Sequence, residues 1–139
     1  DENTHVLGGV SGHAGIFSTA SDIGRYGQIM LNNGIWEGRR IFKNKQVKQF
    51  TELHHLPIDS ERTLGWDTPS RNGKSSAGDY FSSSTFGHLG YTGTSLWIDP
   101  ENEIIVVLLT NRVHPTRERG GIYGIRREFH TQVMKTLLN

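Results

Sequence analysis

Residues 86–110, FGHLGYTGTSLWIDPENEIIVVLLT, hold the pattern that decides the fold. Their β-branched, aromatic and leucine residues predict three strands, at about 84–91, 94–98 and 103–110. The near-continuous apolar run of the last strand is typical of a strand that is buried on both faces. Between the last two strands, Asp99-Pro100-Glu101-Asn102 is a tight-turn sequence with proline at a suitable second position, so these two strands should form an antiparallel hairpin.

The residues on the N-terminal side of this sheet predict two helices. Thr19 and Asp22 have the spacing of a capping box, and apolar residues then recur at helical intervals until Asn33-Gly34 closes the first helix. The second helix is predicted over 44–53, with Asn44 as its cap. The apolar positions are Ile23, Tyr26, Met30 and Leu31 in the first helix, and Val47, Phe50 and Leu53 in the second.

A third helix is predicted after the last strand, over 122–137, and its apolar face should cover the sheet. That face consists of Ile122, Ile125, Phe129, Val133, Met134 and Leu137. We expect an irregular glycine-rich loop over 1–17, and a polar loop over 57–84 that is interrupted by a short strand at 64–66. The predicted fold class is therefore α+β, with an antiparallel sheet of about three strands, a C-terminal helix on one face and two N-terminal helices.

Composition narrows the possible functions. The chain has 139 residues, 15 of them basic and 14 acidic, without a run of like charges, so binding to nucleic acid is not expected. Its longest apolar run, at 104–109, is shorter than the ~20 residues of a membrane-spanning helix. The chain has no cysteine and no H-E-x-x-H motif, and His54-His55 is a pair that points in diverging directions. We therefore expect no bound metal and no cofactor.

Two glycine-rich stretches are candidate sites. Residues 9–13, GVSGH, almost match the nucleophile elbow G-x-S-x-G, but the last glycine is His13 and no strand is predicted before them. We interpret them as a loop whose hydroxyl makes local hydrogen bonds. In HLG at 88–90, a glycine at the end of a strand allows close approach of a ligand to the backbone. On the residues alone, this strand end is either a bulge or a binding edge.

The order of motifs resembles the serine β-lactamase and penicillin-binding-protein-like superfamily. That family has a K-T-G or H-x-G triad on a strand, then a residue, T-G, a strand ending in a proline turn, and a buried strand ending in L-x-N. The corresponding residues here are His88-Leu89-Gly90, Tyr91, Thr92-Gly93, the strand ending at Pro100, and IIVVLLTN. GHAGIFSTASDIGRY also resembles the family segment G-G-x-x-S-T-x-x-D-hydrophobic-x-R-aromatic.

The nucleophile motif of the family, S-x-x-K, occurs nowhere in the chain, and neither does Y-x-N. The S-x-N at 70–72 precedes the triad and is interpreted as a turn. Because both motifs come before the matching segment in the family, the resemblance implies the C-terminal portion of such a domain. Its helical region would be 1–60, and its sheet with the C-terminal helix would be 61–139.

The resemblance also implies roles for individual residues. The catalytic residues would be His88, in place of the family's lysine, and Tyr91, whose backbone N–H would form half of an oxyanion hole. The substrate-binding residues would be Gly90, Thr92, Gly93 and Asn111. Two simpler interpretations remain open, since His88 could merely cap a strand and Asn111 could merely bond turn backbone. Leu89 replaces a threonine whose hydroxyl, in many relatives, helps to hold a substrate carboxylate.

The glycine-rich opening, DENTHVLGGVSGHAGIFSTA, resembles a bacterial subgroup that accompanies cell-wall recycling enzymes and acts on muramyl peptides. This resemblance suggests a peptide or muropeptide substrate and a location in the cell envelope or periplasm. His13 would either line the substrate pocket or merely bond neighbouring backbone of its loop. The resemblance also implies the missing N-terminal part of the domain as a partner, and self-association of the chain alone. The alternative is a non-catalytic module that binds a peptide or glycan at an exposed strand edge.

Overall fold

The computed structural model describes residues 1–53, 60–70, 74–118 and 120–139. The interpretations of His54-His55 and of the S-x-N at 70–72 fall wholly or partly outside these residues. None of the helices in the described ranges is long and apolar enough to span a membrane. The elements are α1 (Glu2–Val6), α2 (Ala20–Leu31), β1 (Ile35–Trp36), β2 (Arg39–Arg40), α3 (Asn44–Thr51), β3 (Phe86–Leu89), β4 (Ser95–Asp99), β5 (Ile104–Leu108) and α4 (Ile122–Leu137).

The main sheet is antiparallel and has the order β3-β4-β5. Phe86 pairs with Ile98 across the first two strands, and Asp99 pairs with Ile104 across the predicted hairpin, which is confirmed. All five residues of β4 are buried, whereas in β5 only Val106 is. The expectation that the last strand is buried on both faces is therefore wrong, because β4 lies at the centre of this sheet and β5 at its edge.

The β4–β5 turn is organised by the Asp99 carboxylate, which is fully buried. It accepts hydrogen bonds from the Ser82 backbone N–H and hydroxyl at 2.9 and 2.6 Å, and from the Asn102 side chain at 2.8 Å. The backbone N–H groups of Glu101 and Asn102 also donate to it. Burial alone raises the pKa of Asp99, but the hydrogen bonds from Ser82 and Asn102 outweigh it and hold the pKa below its usual value.

Helix α2, which the capping box and the apolar spacing predict, covers one face of the sheet. The Thr19 hydroxyl accepts the Asp22 backbone N–H at 3.1 Å. A Cβ at Gly27 would lie 2.9 Å from Ile105, so the helix backbone closely approaches the sheet. The core on this face is formed by Met30, Val47, Phe86, Leu96 and Ile98, with Ile23, Leu31, Trp66, Ile105 and Val107 packed against it.

Helix α4 covers the opposite face, where Met134 of the predicted stripe is buried, but the buried stripe is shifted from the predicted one. Its buried residues are Arg126, His130 and Met134, whereas Ile125 and Leu137 are each 58% exposed. The cause is polar: the buried Ser95 hydroxyl at the start of β4 lies 2.9 Å from His130 Nε2. The helix therefore turns toward the sheet the side chains that satisfy buried polar groups of the sheet.

Three local predictions are wrong. The stretch 1–17 is not wholly irregular, because the Asp1 carboxylate accepts the Thr4 N–H at 2.8 Å and caps the short helix α1. The cap of α3 is Lys43, so Asn44 is already helical. Residues 64–66 form no strand; the pairing falls on Asp67, which bridges to Gly87.

Acid should destabilise the fold through His130. Burial, and then the charge of Arg126, lowers the pKa of His130 from 6.5 to about 4. The unfolded chain takes up this proton near pH 6.5 and the folded chain only near pH 4, so acidification through this interval favours unfolding. We expect the free energy of unfolding, measured with urea, to fall on the order of 3 kcal/mol across it.

The control for this experiment is a pair of variants. His130→Gln cannot titrate, so it should lower stability at neutral pH and flatten the slope between pH 6.5 and 4. His5→Gln, at an exposed histidine of α1, should keep the wild-type slope. An identical slope in the wild type and in His130→Gln would contradict the assignment.

Candidate active site

His88 lies near the C-terminal end of β3 and pairs in register with Leu96. Because side chains alternate along a strand, its imidazole lies on the α2 face of the sheet, the face that also carries Phe86. The side chain is exposed, and none of the residues placed by the structure forms a hydrogen bond with its ring. The imidazole is therefore accessible from solvent, and its catalytic role stays a prediction.

The turn that follows β3 is tightly closed. Gly90 N–H donates to the Thr94 carbonyl at 2.8 Å, and Gly93 N–H donates to the Gly90 carbonyl at 3.0 Å. A Cβ on Gly90 would collide with the Thr94 hydroxyl, and one on Gly93 with the Thr110 hydroxyl. Gly93 also has a φ of +105°, which side chains disfavour. The two glycines that the sequence singles out are thus required by packing within and beside the turn.

The edge of β3 that faces away from β4 lies beside His88 and the turn that follows it. Gly87 exchanges hydrogen bonds with Asp67 across that edge, at 2.9 and 2.7 Å. Leu89 is two residues further along, so its N–H and carbonyl face the same way. The Tyr91 N–H has no acceptor within the described ranges. An unpaired N–H beside a strand edge is the arrangement that a substrate carbonyl can use.

Two arginines hold the carbonyl groups of this turn. Arg112 Nε donates to the Tyr91 carbonyl at 2.7 Å, and its guanidinium lies 4.4 Å from the centre of the Tyr91 ring. Arg126 Nη2, from α4, donates to the carbonyls of Gly90 and Thr94 at 2.6 and 2.7 Å. Burial, and then the charge of Arg112, lowers the pKa of Arg126, although an arginine remains charged at physiological pH.

Sequence reasoning missed both arginines, because neither belongs to a motif that the sequence singles out. The available signal was that Arg126, His130 and Met134 recur at i, i+4 and i+8, which puts all three on one stripe of α4. A stripe of one arginine, one histidine and one methionine is compatible with a buried polar contact and equally with exposure to solvent. The stripe alone does not identify the acceptors.

The other predicted substrate-binding residues lie on or beside the turn. Thr92 is exposed and its carbonyl accepts the Arg112 N–H at 2.9 Å, which joins the turn to the segment after β5. Asn111 immediately precedes Arg112 and is exposed, so it borders the same turn. The structure therefore brings His88, the turn and Asn111 to one end of the sheet, and their roles stay predictions.

In the loop at residues 9–13, the Ser11 hydroxyl makes a local hydrogen bond, as predicted. Ser11 Oγ and His13 Nδ1 lie 2.5 Å apart, and both residues are at least partly exposed. Asp1 Oδ1 lies 3.5 Å from His13 Nε2. Helix α1, not a strand, precedes this loop. Elsewhere too, the described residues contain no group of three or more acidic or histidine side chains that could hold a metal ion.

A cavity of about 360 Å³ lies against β3 and β4. Leu89 and Trp97 line it; these residues share the α4 face of the sheet, opposite to the face that carries His88. Its polar rim is already paired in part, because Arg62 forms an ion pair with Asp67. This cavity therefore lies on the α4 side of β3, whereas the imidazole of His88 lies on the α2 side.

Comparison with known proteins agrees with the fold and with the arrangement of motifs. The family model described as "Beta-lactamase" matches residues 1–129. Proteins named "Putative D-alanyl-D-alanine carboxypeptidase" from Salmonella enteritidis PT4 and Salmonella typhi are each 44% identical over 114 residues, which is 79% of this chain. The chain spans about a quarter (25%) of the length of these relatives.

A solved structure, a beta-lactamase from Mycobacterium bovis, superposes with a TM-score of 0.64 at 19% identity. It covers 87% of this chain and 43% of the other, and at that identity it supports the fold alone. The chain belongs to the beta-lactamase family. The resemblance seen in the ordered motifs is thus confirmed, as is the α+β fold class.

Replacing a glycine by alanine should have opposite effects on stability in the turn and in the middle of helix α2. Gly93→Ala should lower the free energy of unfolding by about 2 kcal/mol, because it combines a positive φ with a collision at Thr110. The matched control is Gly24→Ala in α2, where an added Cβ would contact no other part of the described chain within 4 Å. That change should raise stability by about 0.5–1 kcal/mol. Urea unfolding of both variants measures the difference, and equal effects would contradict the packing of the turn.

Proposed function

We propose that this chain forms one wall of the acyl-transfer site of a serine hydrolase. The observation that carries the proposal is the Tyr91 N–H, which has no acceptor in the described part of the chain and lies three residues beyond the exposed His88. Membership of the beta-lactamase family supports it, since the H-x-G and T-G motifs fall on this strand end and turn. The 44% identity to putative carboxypeptidases points to hydrolysis of an amide.

In this proposal, the substrate carbonyl lies along the outer edge of β3. The tetrahedral oxyanion accepts hydrogen bonds from the Tyr91 N–H and from the N–H of the nucleophilic serine. His88 donates a hydrogen bond toward the substrate or toward a catalytic tyrosine. The serine and its lysine base come from an S-x-x-K motif, which this chain lacks. We therefore expect the serine and the lysine in a longer protein, in the part that corresponds to the three quarters of the relatives' length that this chain does not match.

The proposed substrates are peptides of the bacterial cell wall. The name of the Salmonella relatives suggests a peptide ending in D-Ala-D-Ala. The resemblance of residues 1–20 suggests a muramyl peptide instead. Leu89 lacks the hydroxyl that helps many relatives to hold a substrate carboxylate, so the proposal favours the muramyl amide. Comparing hydrolysis of acetyl-L-Lys-D-Ala-D-Ala with that of muramyl dipeptide separates the two.

The isolated chain should hydrolyse neither a chromogenic cephalosporin nor a nitrophenyl ester above the buffer rate, because it contains no serine–lysine pair. The genomic sequence upstream of the Asp1 codon should encode S-x-x-K followed by Y-x-N. A protein that includes this segment should cleave one of the two peptides, and His88→Ala should lower its kcat by about 10²–10³-fold. His5→Ala is the control and should retain full activity.

Two results would contradict the proposed function. One is serine-dependent turnover by the isolated chain. The other is an upstream sequence without a nucleophile motif.

The missing part of the domain should also cover an apolar surface at the N-terminal end of the chain. Five large apolar side chains there are between 65% and 96% exposed, namely Val6, Leu7, Val10, Ile16 and Phe17. Large apolar side chains that are exposed to this extent favour association. The isolated chain should therefore self-associate, as measured by analytical ultracentrifugation. The double change Ile16→Ser and Phe17→Ser should shift it toward monomer, and a monomeric wild type would contradict this assignment.

A second candidate is a non-catalytic module that binds an extended peptide by strand addition. The observation that favours it is the Leu89 backbone, which faces the outer edge of β3 and is paired there with none of the residues that the structure describes. Saturable binding of a muropeptide to a stable monomer, lost in His88→Ala, would favour this candidate over the first. The candidate fails if the isolated chain shows no saturable binding.

A further inference from the structure

Helix α4 is joined to the turn after β3 by one buried side chain. Arg126 is 7% exposed, and its Nη2 donates to two carbonyls that lie four residues apart, those of Gly90 and Thr94. One helical turn later, His130 lies 2.9 Å from the Ser95 hydroxyl. The same stripe of α4 therefore contacts the turn at both of its ends and the first residue of β4.

The hydrogen bond from Arg126 to the Gly90 carbonyl also sets the direction of the Tyr91 N–H, because both groups belong to the same planar peptide group. It is a trans peptide, since the only cis bond found in the described residues is His114-Pro115. In a planar trans peptide, the carbonyl of one residue and the N–H of the next point in opposite directions. The Gly90 carbonyl is held by Arg126 Nη2 at 2.6 Å and by the Gly93 N–H at 3.0 Å. The Tyr91 N–H must then point away from α4 and from the interior of the turn.

We propose that Arg126 is a positioning residue, which fixes the direction of the Tyr91 N–H by holding the Gly90 carbonyl on the other side of the same peptide group. The catalytic value of that direction rests on the proposed function, in which this N–H binds the oxyanion. The orientation itself does not depend on the reaction. Without Arg126, the Gly90 carbonyl keeps only the hydrogen bond from the Gly93 N–H, so the direction of the peptide group is less restrained.

The length of the arginine side chain suits this contact. Nη2 carries two N–H groups, and one nitrogen therefore donates to both carbonyls, at 2.6 and 2.7 Å. The Arg126 Nε is buried and has no partner among the described residues, so its desolvation cost is not offset there. A lysine would carry the same charge with a shorter reach and without the planar fork. Charge alone therefore does not reproduce the contact.

The test measures the direction of the Tyr91 N–H bond by its residual dipolar coupling in the ¹⁵N-labelled chain. All variants carry Ile16→Ser and Phe17→Ser, which limit association. In Arg126→Met, we expect the Tyr91 coupling to fall to roughly half or less as the bond begins to sample several directions. The couplings of Trp97 in β4 and Met134 in α4 should not change. Arg126→Lys should give an intermediate coupling.

Two controls separate orientation from general loss of structure. Arg127→Met removes the neighbouring arginine, which binds Asp79 instead of the turn, and should leave the Tyr91 coupling unchanged. In Arg126→Ala, millimolar methylguanidinium should restore the coupling, and methylammonium should not. Restoration by a small guanidinium also keeps the test decisive if Arg126→Met proves poorly folded.

The inference is overturned if the Tyr91 coupling in Arg126→Met equals the wild-type value. It is also overturned if the Tyr91 coupling falls only together with those of Trp97 and Met134, or if methylguanidinium fails to restore it. None of these measurements involves turnover. A chain that passes them while the longer protein shows no hydrolysis would therefore contradict the proposed function and leave the positioning role intact.

Discussion

The burial of β4 on both faces is the constraint on which the rest of this structure depends. All five residues, Ser95–Asp99, are buried, and alternation places Leu96 and Ile98 against α2 but Ser95, Trp97 and Asp99 on the other side. The first of these faces is satisfied by any well-packed apolar helix. The second begins and ends with a polar side chain, so it requires partners with matching hydrogen-bonding groups.

Those partners determine the structure around β4. Ser95 meets His130 of α4, and Asp99 accepts hydrogen bonds from Ser82 and Asn102. Removing one partner of a buried hydrogen bond costs more than the bond contributes, because the remaining group stays desolvated. The polar ends of β4 thus select one orientation of α4 and one path for the loop before β3. The same orientation of α4 brings Arg126 to the turn beside His88.

Much of the fold is predictable from local patterns, because strand and helix periodicity depend on residues that are close in sequence. The hairpin at Asp99, the capping box at Thr19 and the three strands are all found in this way. Burial is less predictable. The most apolar run became the edge strand β5, while β4, with a serine and an aspartate, became the centre, because strand order depends on the whole domain.

The candidate site also has a part that the sequence predicts and a part that only the structure reveals. The ordered motifs locate His88, Gly90, Tyr91 and Asn111 at one end of the sheet, since they lie on consecutive strands and turns. The arginines that hold the turn are not found, because Arg126 is 36 residues from Gly90 and Arg112 is 21 from Tyr91. No local pattern states which carbonyl a distant guanidinium will bind. Long-range polar contacts therefore require the tertiary structure.

The two guanidiniums have a combined effect that neither has alone. Each neutralises carbonyl oxygens on the inner side of the turn, those of Gly90 and Thr94 for Arg126 and that of Tyr91 for Arg112. Carbonyl dipoles that faced the edge of β3 would repel an approaching anion, whereas these are turned inward and paired with fixed positive charges. The Tyr91 N–H then lies on the outer side of the turn, and the carbonyls of Gly90, Tyr91 and Thr94 do not compete with it for an approaching anion. Because arginine keeps its charge at physiological pH, this polarity is a constant property of the turn, and pH dependence of the site must come from other groups.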